Sequence, residues 1–428
     1  MGAQRPPFFA GLTKTNTMEW PGNQSLFRVK AVPPMAAKTI ADLDIQGRRV
    51  FIRVDFDVPL TPAGGVSDAT RIHESLPTIR HSIDHGGRVV LASHLGRPKG
   101  RPNPAFSLMP VAACLVELLD RDVVLTDEPV GDGAKKVVAD LRDGSVAMLE
   151  NLRFAAGEET NDEAFSRALA GYADVYINDA FTTAHLAHAS TAGMARFVSA
   201  KGMGLTMDRE VKFLGQLVGE VARPFVAILG GANLSDKTGL LESLLGRADA
   251  IFLGGVLANT FLKAQGGSLG TSRLEAEKLA WARAFLASAQ DAEVQILLPH
   301  DLMAASGRDA PTGRVVPAMK VPDDLAALDI GPETVQRFTE GLAHARTVFW
   351  DGPMGVFDSA PFSAGTIAVA KAVAAVKFGM TVVGGPDSVA ALGRAGVSER
   401  ITHISTGGCA TLEFIEGKKL PGLAALES

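Results

Sequence analysis

Cysteine is almost missing from this chain: only Cys114 and Cys409 occur, far apart in sequence. A disulfide framework is therefore excluded, which suits a cytoplasmic protein. Cys114 lies in the apolar stretch VAACLVELL and is expected to pack in a core. No run of about 20 apolar residues occurs, so no membrane-spanning helix is expected. Neither sign of charge dominates. Lys and Arg total 42 against 47 Asp and Glu, a net charge of -5, and nothing global draws the chain to nucleic acid or anionic lipid. Any anion site must come from local clustering. Two common nucleotide signatures are missing as well. There is no G-x-x-x-x-G-K-[ST], which excludes a P-loop, and no G-x-G-x-x-G after a strand, which leaves dinucleotide binding weakly supported.

What is present points to a sizeable globular protein. At about 100–200 residues per domain, a chain of 428 residues should hold two or three. Met1 to Pro34 is polar and Pro-rich, and lacks the apolar stretch of a secretory signal. Pro6 stands where a myristoylation motif following Gly2 wants Ser or Thr. Residues 1–34 are read as a disordered extension or as sequence upstream of a natural start at Met35.

Short apolar runs alternate with helical patterns. The expected strands are RVFIRVDF, RVVLASH, VAMLEN and VYINDAF, then FVAILGG, AIFLGG, ILLP, VFWDGP and TVVGGP. LMPVAACLVELLD and AEKLAWARAFLASAQ are among the helical segments between them. This alternation argues an α/β fold with parallel sheets. Nearly every strand ends in Gly, Asp, Asn or His, at the carboxyl edge where open α/β sheets hold ligands.

The two halves carry different chemistry. Before about residue 205 the strand ends hold Arg53, Arg71, His94, Arg97 and Arg153. Arginine's planar fork suits phosphate and carboxylate. Surface charge explains most single arginines, but not a set repeated at strand ends. Arg53 is read as structural. After residue 205 the ends are rich in glycine: LGGANLSDK, FLGGVLANTF, WDGPMGVFD, VGGPDSVA and STGGCATLE. Glycines there let backbone N–H groups and helix N-termini approach phosphates. Two domains across a cleft would explain the contrast, one holding an anionic substrate and the other a nucleotide.

RVDFDVP, SHLGRP, ENLRF, NDAF and GGANLSDK follow one another at domain-scale spacing. In this the chain resembles the phosphoglycerate kinase family from about Met35 to its C-terminus. The resemblance implies two doubly wound, Rossmann-like parallel-sheet domains: 35–203 for phosphoglycerate and 221–405 for nucleotide. A linking helix over 204–220 would be one hinge element, and 406–428 would return to the first domain. It implies reversible phosphoryl transfer between 1,3-bisphosphoglycerate and ADP in glycolysis, by a monomer with small-molecule substrates and no nucleic-acid or membrane partner. Asp55, Phe56 and Asp57 would contact the substrate, with Asp55 and Asp57 at its hydroxyls. Arg71, His94, Leu95, Gly96, Arg97 and Arg153 would hold its phosphate and carboxylate. Lys237, Asp351, Asp358, Gly385, Pro386, Asp387 and Ser388 would line the nucleotide, with Arg71 and Lys237 catalytic. Mg²⁺ would arrive with ATP or ADP and sit by Asp387.

Several residues depart from the family pattern. Asp57 and Asp351 stand for Asn, Thr182 for Gly, Leu186 for Arg, Asn233 for Lys, Asp358 for Glu, and Val256, Pro386 and Cys409 for Gly. Leu186 removes a charged donor worth about 1.5–3 kcal/mol. Asn233 removes a transition-state cation, a class of loss on the order of 10³ in rate. The alternative is therefore a divergent paralogue that senses a phosphometabolite or nucleotide, or acts on a less anionic substrate. Two bland readings accompany these: His185 and His188 as packing or capping residues rather than a metal pair, and Cys409 as an unreactive thiol.

Overall fold

The computed structural model describes residues 37–427; the expected extension over residues 1–34 lies outside the described residues. The described chain falls into two compact units. The N-terminal unit comprises 37–213 together with Cys409–Phe414 and 418–427; the C-terminal unit comprises Leu214–Gly408 and Ile415–Gly417.

Each unit is built on a six-stranded parallel sheet. In the N-terminal unit these are β1 (Arg49–Arg53), β2 (Arg88–Ala92), β3 (Val123–Leu125), β4 (Val146–Met148), β5 (Val175–Asn178) and β6 (Ala200–Met203), in the order β3-β4-β2-β1-β5-β6. The C-terminal unit has β7 (Phe225–Leu229), β8 (Ala250–Leu253), β9 (Ser268–Leu269), β10 (Gln295–Leu297), β11 (Asp301–Ala305), β12 (Arg314–Pro317), β13 (Lys320–Val321), β14 (Ala326–Ile330), β15 (Thr347–Asp351), β16 (Met380–Gly384) and β17 (His403–Ile404). Its main sheet runs β10-β8-β7-β15-β16-β17. In both sheets the order grows outward in two directions from the first strand, which is the doubly wound arrangement.

The central strands read as near-continuous apolar runs because helices cover parallel sheets on both faces. Val50, Phe51 and Ile52 of β1, and all of β7, are buried. Register aligns the carboxyl ends: Arg53 pairs with Ala92 and Asn178, and Asp351 with Leu229 and Gly384. The loops leaving these strands therefore emerge together along one edge of each sheet.

Several strands differ from the sequence expectation. β3 and β6 are edge strands; VVL is very short, and AKGM offers no β-branched pattern. In the antiparallel sheet β12-β11-β14 two strands are Ala-rich and β12 is the four-residue RVVP, and the pair β13-β9 has two-residue strands, so alternation is faint. They form a separate apolar cluster around Leu302, Val316 and Val321.

The helix Leu205–Val218 begins in one unit and ends in the other. Its start is capped by Asp179, which follows β5: Asp179 Oδ1 accepts from the N–H groups of Thr206 (2.9 Å) and Met207 (3.0 Å). Gly204 is required here, since a Cβ would lie 2.3 Å from the Asp179 carboxyl. The C-terminal segment packs on the N-terminal unit. Phe414 meets Phe181 edge to face at 6.0 Å, and Gly422 N–H donates to Ala184 O at 2.8 Å.

Burial raises the Asp179 carboxyl to about 6 from 3.8, although the N–H groups of Met207 and Thr206 pull it back. The fold thus favours the protonated form. This contribution is whole below the unfolded value and is lost as pH rises through about 6, a change on the order of 3 kcal/mol. Denaturant titrations from pH 4 to 7.5 should show wild type losing stability relative to Asp179→Asn across that window. A pH-independent difference between the two would contradict the assignment.

Candidate functional site

The N-terminal unit gathers its basic residues at the exits of β1, β2 and β4. Beyond β1, Asp55 is a hub: its Oδ2 accepts from Arg71 Nη1 (2.9 Å) and Thr182 Oγ1 (2.7 Å), and its Oδ1 from Asp57 N–H (3.1 Å). Arg71 Nη1 also reaches the Asp57 carbonyl at 3.1 Å. Asp57 Oδ1 accepts from Gly96 N–H at 2.8 Å, and its Oδ2 lies 3.7 Å from His94 Nε2. Carboxylates thus brace the guanidinium and the loop after β2. Phe56 and Leu95 belong to the apolar core, so only their backbones are available to a ligand.

Gly96 sits at φ +60° with the Phe106 ring 2.4 Å from where a Cβ would be, so only glycine fits. Asn151 after β4 is fully buried and pins this loop, donating to Leu95 O and Phe106 O at 2.8 Å each. Arg153 donates to Gly96 O at 2.9 Å. Its Nε, 3.4 Å from Glu159, is buried without a hydrogen bond. Arg97 is exposed and makes no hydrogen bond or ion pair to the described residues.

His94 is buried, and its pKa lies well below the ordinary value. Burial is the main cause, followed by the guanidiniums of Arg53 and Arg153. It is a neutral ring at working pH. His188 is pushed down to about 4, again chiefly by burial. His188 Nδ1 lies 3.8 Å from Glu158 Oε1, a neighbour far away in sequence. Beneath these, Glu158 accepts from Ser190 Oγ (2.6 Å) and N–H (3.0 Å).

In the C-terminal unit the glycines hold β7, β15 and the β16 exit close together. Gly231 and Gly352 have φ +100° and +96°, and a Cβ on Gly352 would lie 2.4 Å from Gly230 O. Lys237 is 9% exposed, and its ammonium donates to Gly230 O (2.9 Å), Asp351 O (2.9 Å) and Asp351 Oδ1. All three N–H bonds are used. Ser388 Oγ accepts from Gly352 N–H at 2.8 Å. Gly385, at φ +81°, leads into the helix Pro386–Ala395, where Pro386 occupies the first turn without removing a helical hydrogen bond. Asp387 is exposed there and makes no hydrogen bond or ion pair to the described residues.

Other candidates stand apart from this group. Asn233 is exposed and donates to Asp236 at 3.1 Å. Its loop is anchored by Glu275, which accepts from Leu234 and Ser235 N–H. Asp358 pairs with Arg308 on the surface. Leu186 is half-buried, and its carbonyl accepts from Thr191 Oγ1 at 2.8 Å. Thr182, Glu158, Ser190 and Glu275 were missed as partners, because each acts across a long sequence separation.

Comparison with known proteins places this geometry. The family model for phosphoglycerate kinase matches residues 40–418. The phosphoglycerate kinase of Anaeromyxobacter sp. (strain K) is 55% identical over 92% of this chain and all of its own length. That of Pelotomaculum thermopropionicum is 51% identical over 92% of this chain and 99% of its own. The phosphoglycerate kinase structure from Coxiella burnetii superposes with a TM-score of 0.83 at 37% identity, covering 91% of this chain and 98% of that one.

Removing one member of the Lys237–Asp351 pair leaves the other charge buried. Asp351→Ala should therefore cost about 3–5 kcal/mol of unfolding free energy, measured by denaturant titration. A loss under about 1 kcal/mol, the range of surface pairs, would show that the pair is not a buried one in solution.

Proposed function

This chain belongs to the phosphoglycerate kinase family, and from that premise we propose how its residues carry reversible phosphoryl transfer between 1,3-bisphosphoglycerate and ADP. The breadth of the match favours this reading over a non-catalytic sensor.

3-Phosphoglycerate offers a phosphate, a carboxylate and a hydroxyl. In the proposal Arg97 and Arg153 take the phosphate and carboxylate, and neutral His94 donates a further hydrogen bond. Arg71 keeps donors to spare beyond those spent on Asp55 and Asp57. Asp55 and Asp57 accept from the substrate hydroxyl while holding the cations in place. The observation that supports this most is Arg153 Nε, a buried donor that makes no hydrogen bond and has only the Glu159 carboxylate beside it, at 3.4 Å. Such a group is costly unless a ligand completes it.

The nucleotide phosphates are assigned to the start of the helix Pro386–Ala395, where first-turn N–H groups and the helix dipole favour anions, beside the Gly-rich exits of β7 and β15, whose Gly230, Gly231 and Gly352 N–H groups are spent within the chain. Lys237 stiffens that cradle and reaches a phosphate only by exchanging one of its three present acceptors. Asp387 fits a Mg²⁺ carried by the nucleotide, because its carboxylate is a hard oxygen donor with no partner among the described residues. When bound, that ion neutralises phosphate charge. The chain's own residues supply binding, alignment and exclusion of water, which is most of what phosphoryl transfer needs. We take it to act as a monomer in the cytoplasm; its two unpaired cysteines support the compartment. No helix among the described residues is long and apolar enough to cross a membrane.

Coupled-assay turnover of 3-phosphoglycerate with Mg-ATP tests the reading. Rates of about 1–10³ s⁻¹ are expected; rates several orders lower with nucleotide binding intact would favour the sensor. Asn233→Lys should raise kcat by about tenfold or more, and KM much less, because the added charge acts on the transferring group. An unchanged kcat would remove Asn233 as a limit on rate.

A further inference from the structure

We propose that Arg53 is a positioning residue that sets the tautomer of His94, so that the ring presents Nε2–H toward Asp57 and the bound anion. The proposal deepens the substrate reading above and rests on it where KM is concerned.

Arg53 ends β1 and is 1% exposed. Its Nη1 donates to Val54 O, its Nε to Ser190 Oγ at 2.9 Å, and its Nη2 faces His94 Nδ1 at 3.2 Å. A guanidinium has no acceptor and keeps its protons in proteins. The 3.2 Å contact is therefore a hydrogen bond only if Nδ1 is bare. A neutral ring with bare Nδ1 carries its one proton on Nε2, the atom 3.7 Å from Asp57 Oδ2. The other tautomer would set two N–H groups against each other in a buried site, leaving both unsatisfied.

The guanidinium cannot easily turn away. Ser190 Oγ commits its proton to Glu158 Oε1 at 2.6 Å, so a lone pair on that oxygen accepts from Arg53 Nε. Ser190 is fixed in turn by its N–H to Glu158 Oε2 (3.0 Å) and by Tyr176 Oη donating to its carbonyl (2.7 Å). Hydrogen bonds thus run in one direction: Arg53 to Ser190 to Glu158 on the inner side, and Arg53 to His94 on the outer side. Burial and the surrounding guanidiniums keep the ring from taking a second proton.

Long-range ¹H–¹⁵N spectra of ¹⁵N-histidine-labelled full-length protein read the tautomer directly, with His94 assigned among the nine histidines by its loss in His94→Gln. The expected pattern is bare Nδ1 with protonated Nε2. Arg53→Met should mix the tautomers and raise KM for 3-phosphoglycerate about tenfold, with kcat changing less. In a His94→Gln background the same Arg53→Met change should cost far less, since glutamine has no tautomer to set. A wild-type spectrum showing Nδ1–H or imidazolium would overturn the proposal, as would an equal Arg53→Met penalty in both backgrounds. If Arg53→Met does not fold, the wild-type spectrum still decides. If His94→Gln leaves KM unmoved, the substrate reading of His94 fails and the tautomer assignment is judged by the spectrum alone.

Discussion

Burying a guanidinium at the end of a central strand is the constraint on which the N-terminal unit is organised. Arg53 loses its water, a penalty of several kcal/mol that only well-placed partners offset. One partner is the adjacent Val54 O; the others come from distant parts of the chain: His94 after β2, Ser190, and Glu158 beneath it. Satisfying one charge therefore fixes the loops after β1 and β2 and the segment around Ser190 in a single arrangement. Two further cations are mounted on this frame, Arg71 half-buried and Arg153 buried. Arg71 is braced by Asp55, and Arg153 is tied to Gly96 O.

The C-terminal unit solves a similar problem with Lys237. Its ammonium joins the ends of β7 and β15 by bonding the carbonyls of Gly230 and Asp351 and the Asp351 carboxylate. Glycines at positive φ make that approach possible, because side chains at Gly230 or Gly352 would strike the neighbouring backbone. In both units parallel register brings the exits to one edge, and a buried cation stiffens the edge from within. Positioning is what phosphoryl transfer asks of a protein.

Much of this was legible in the sequence. The central strands were readable because buried parallel strands are uninterrupted apolar runs, as in RVFIRV and FVAIL. The strand-end motifs also identified the family. What escaped had a common physical cause. β6 and the antiparallel strands β11, β12 and β14 lack the long β-branched runs of the central strands, and tertiary pairing rather than propensity makes them strands. Thr182 hydrogen-bonds Asp55 across 127 residues and Glu275 caps a loop 40 residues away, contacts that no local spacing reveals. Arg53 was read as structural from its place in the strand, and its contact with His94 required coordinates to see. Asn233 and Leu186 were visible as departures, but what surrounds them, Asp236 for one and Thr191 for the other, was not.

The central claim is that anionic substrate is held by the strand exits of the N-terminal unit and nucleotide by those of the C-terminal unit. Amide hydrogen exchange on the full-length protein, with each ligand added alone, tests it most directly. 3-Phosphoglycerate should slow exchange over 94–97, 152–154 and 181–186, and Mg-ADP over 231–238, 352–355 and 385–389. Protection by 3-phosphoglycerate confined to the second set, or none from either ligand at concentrations that sustain turnover, would contradict the account.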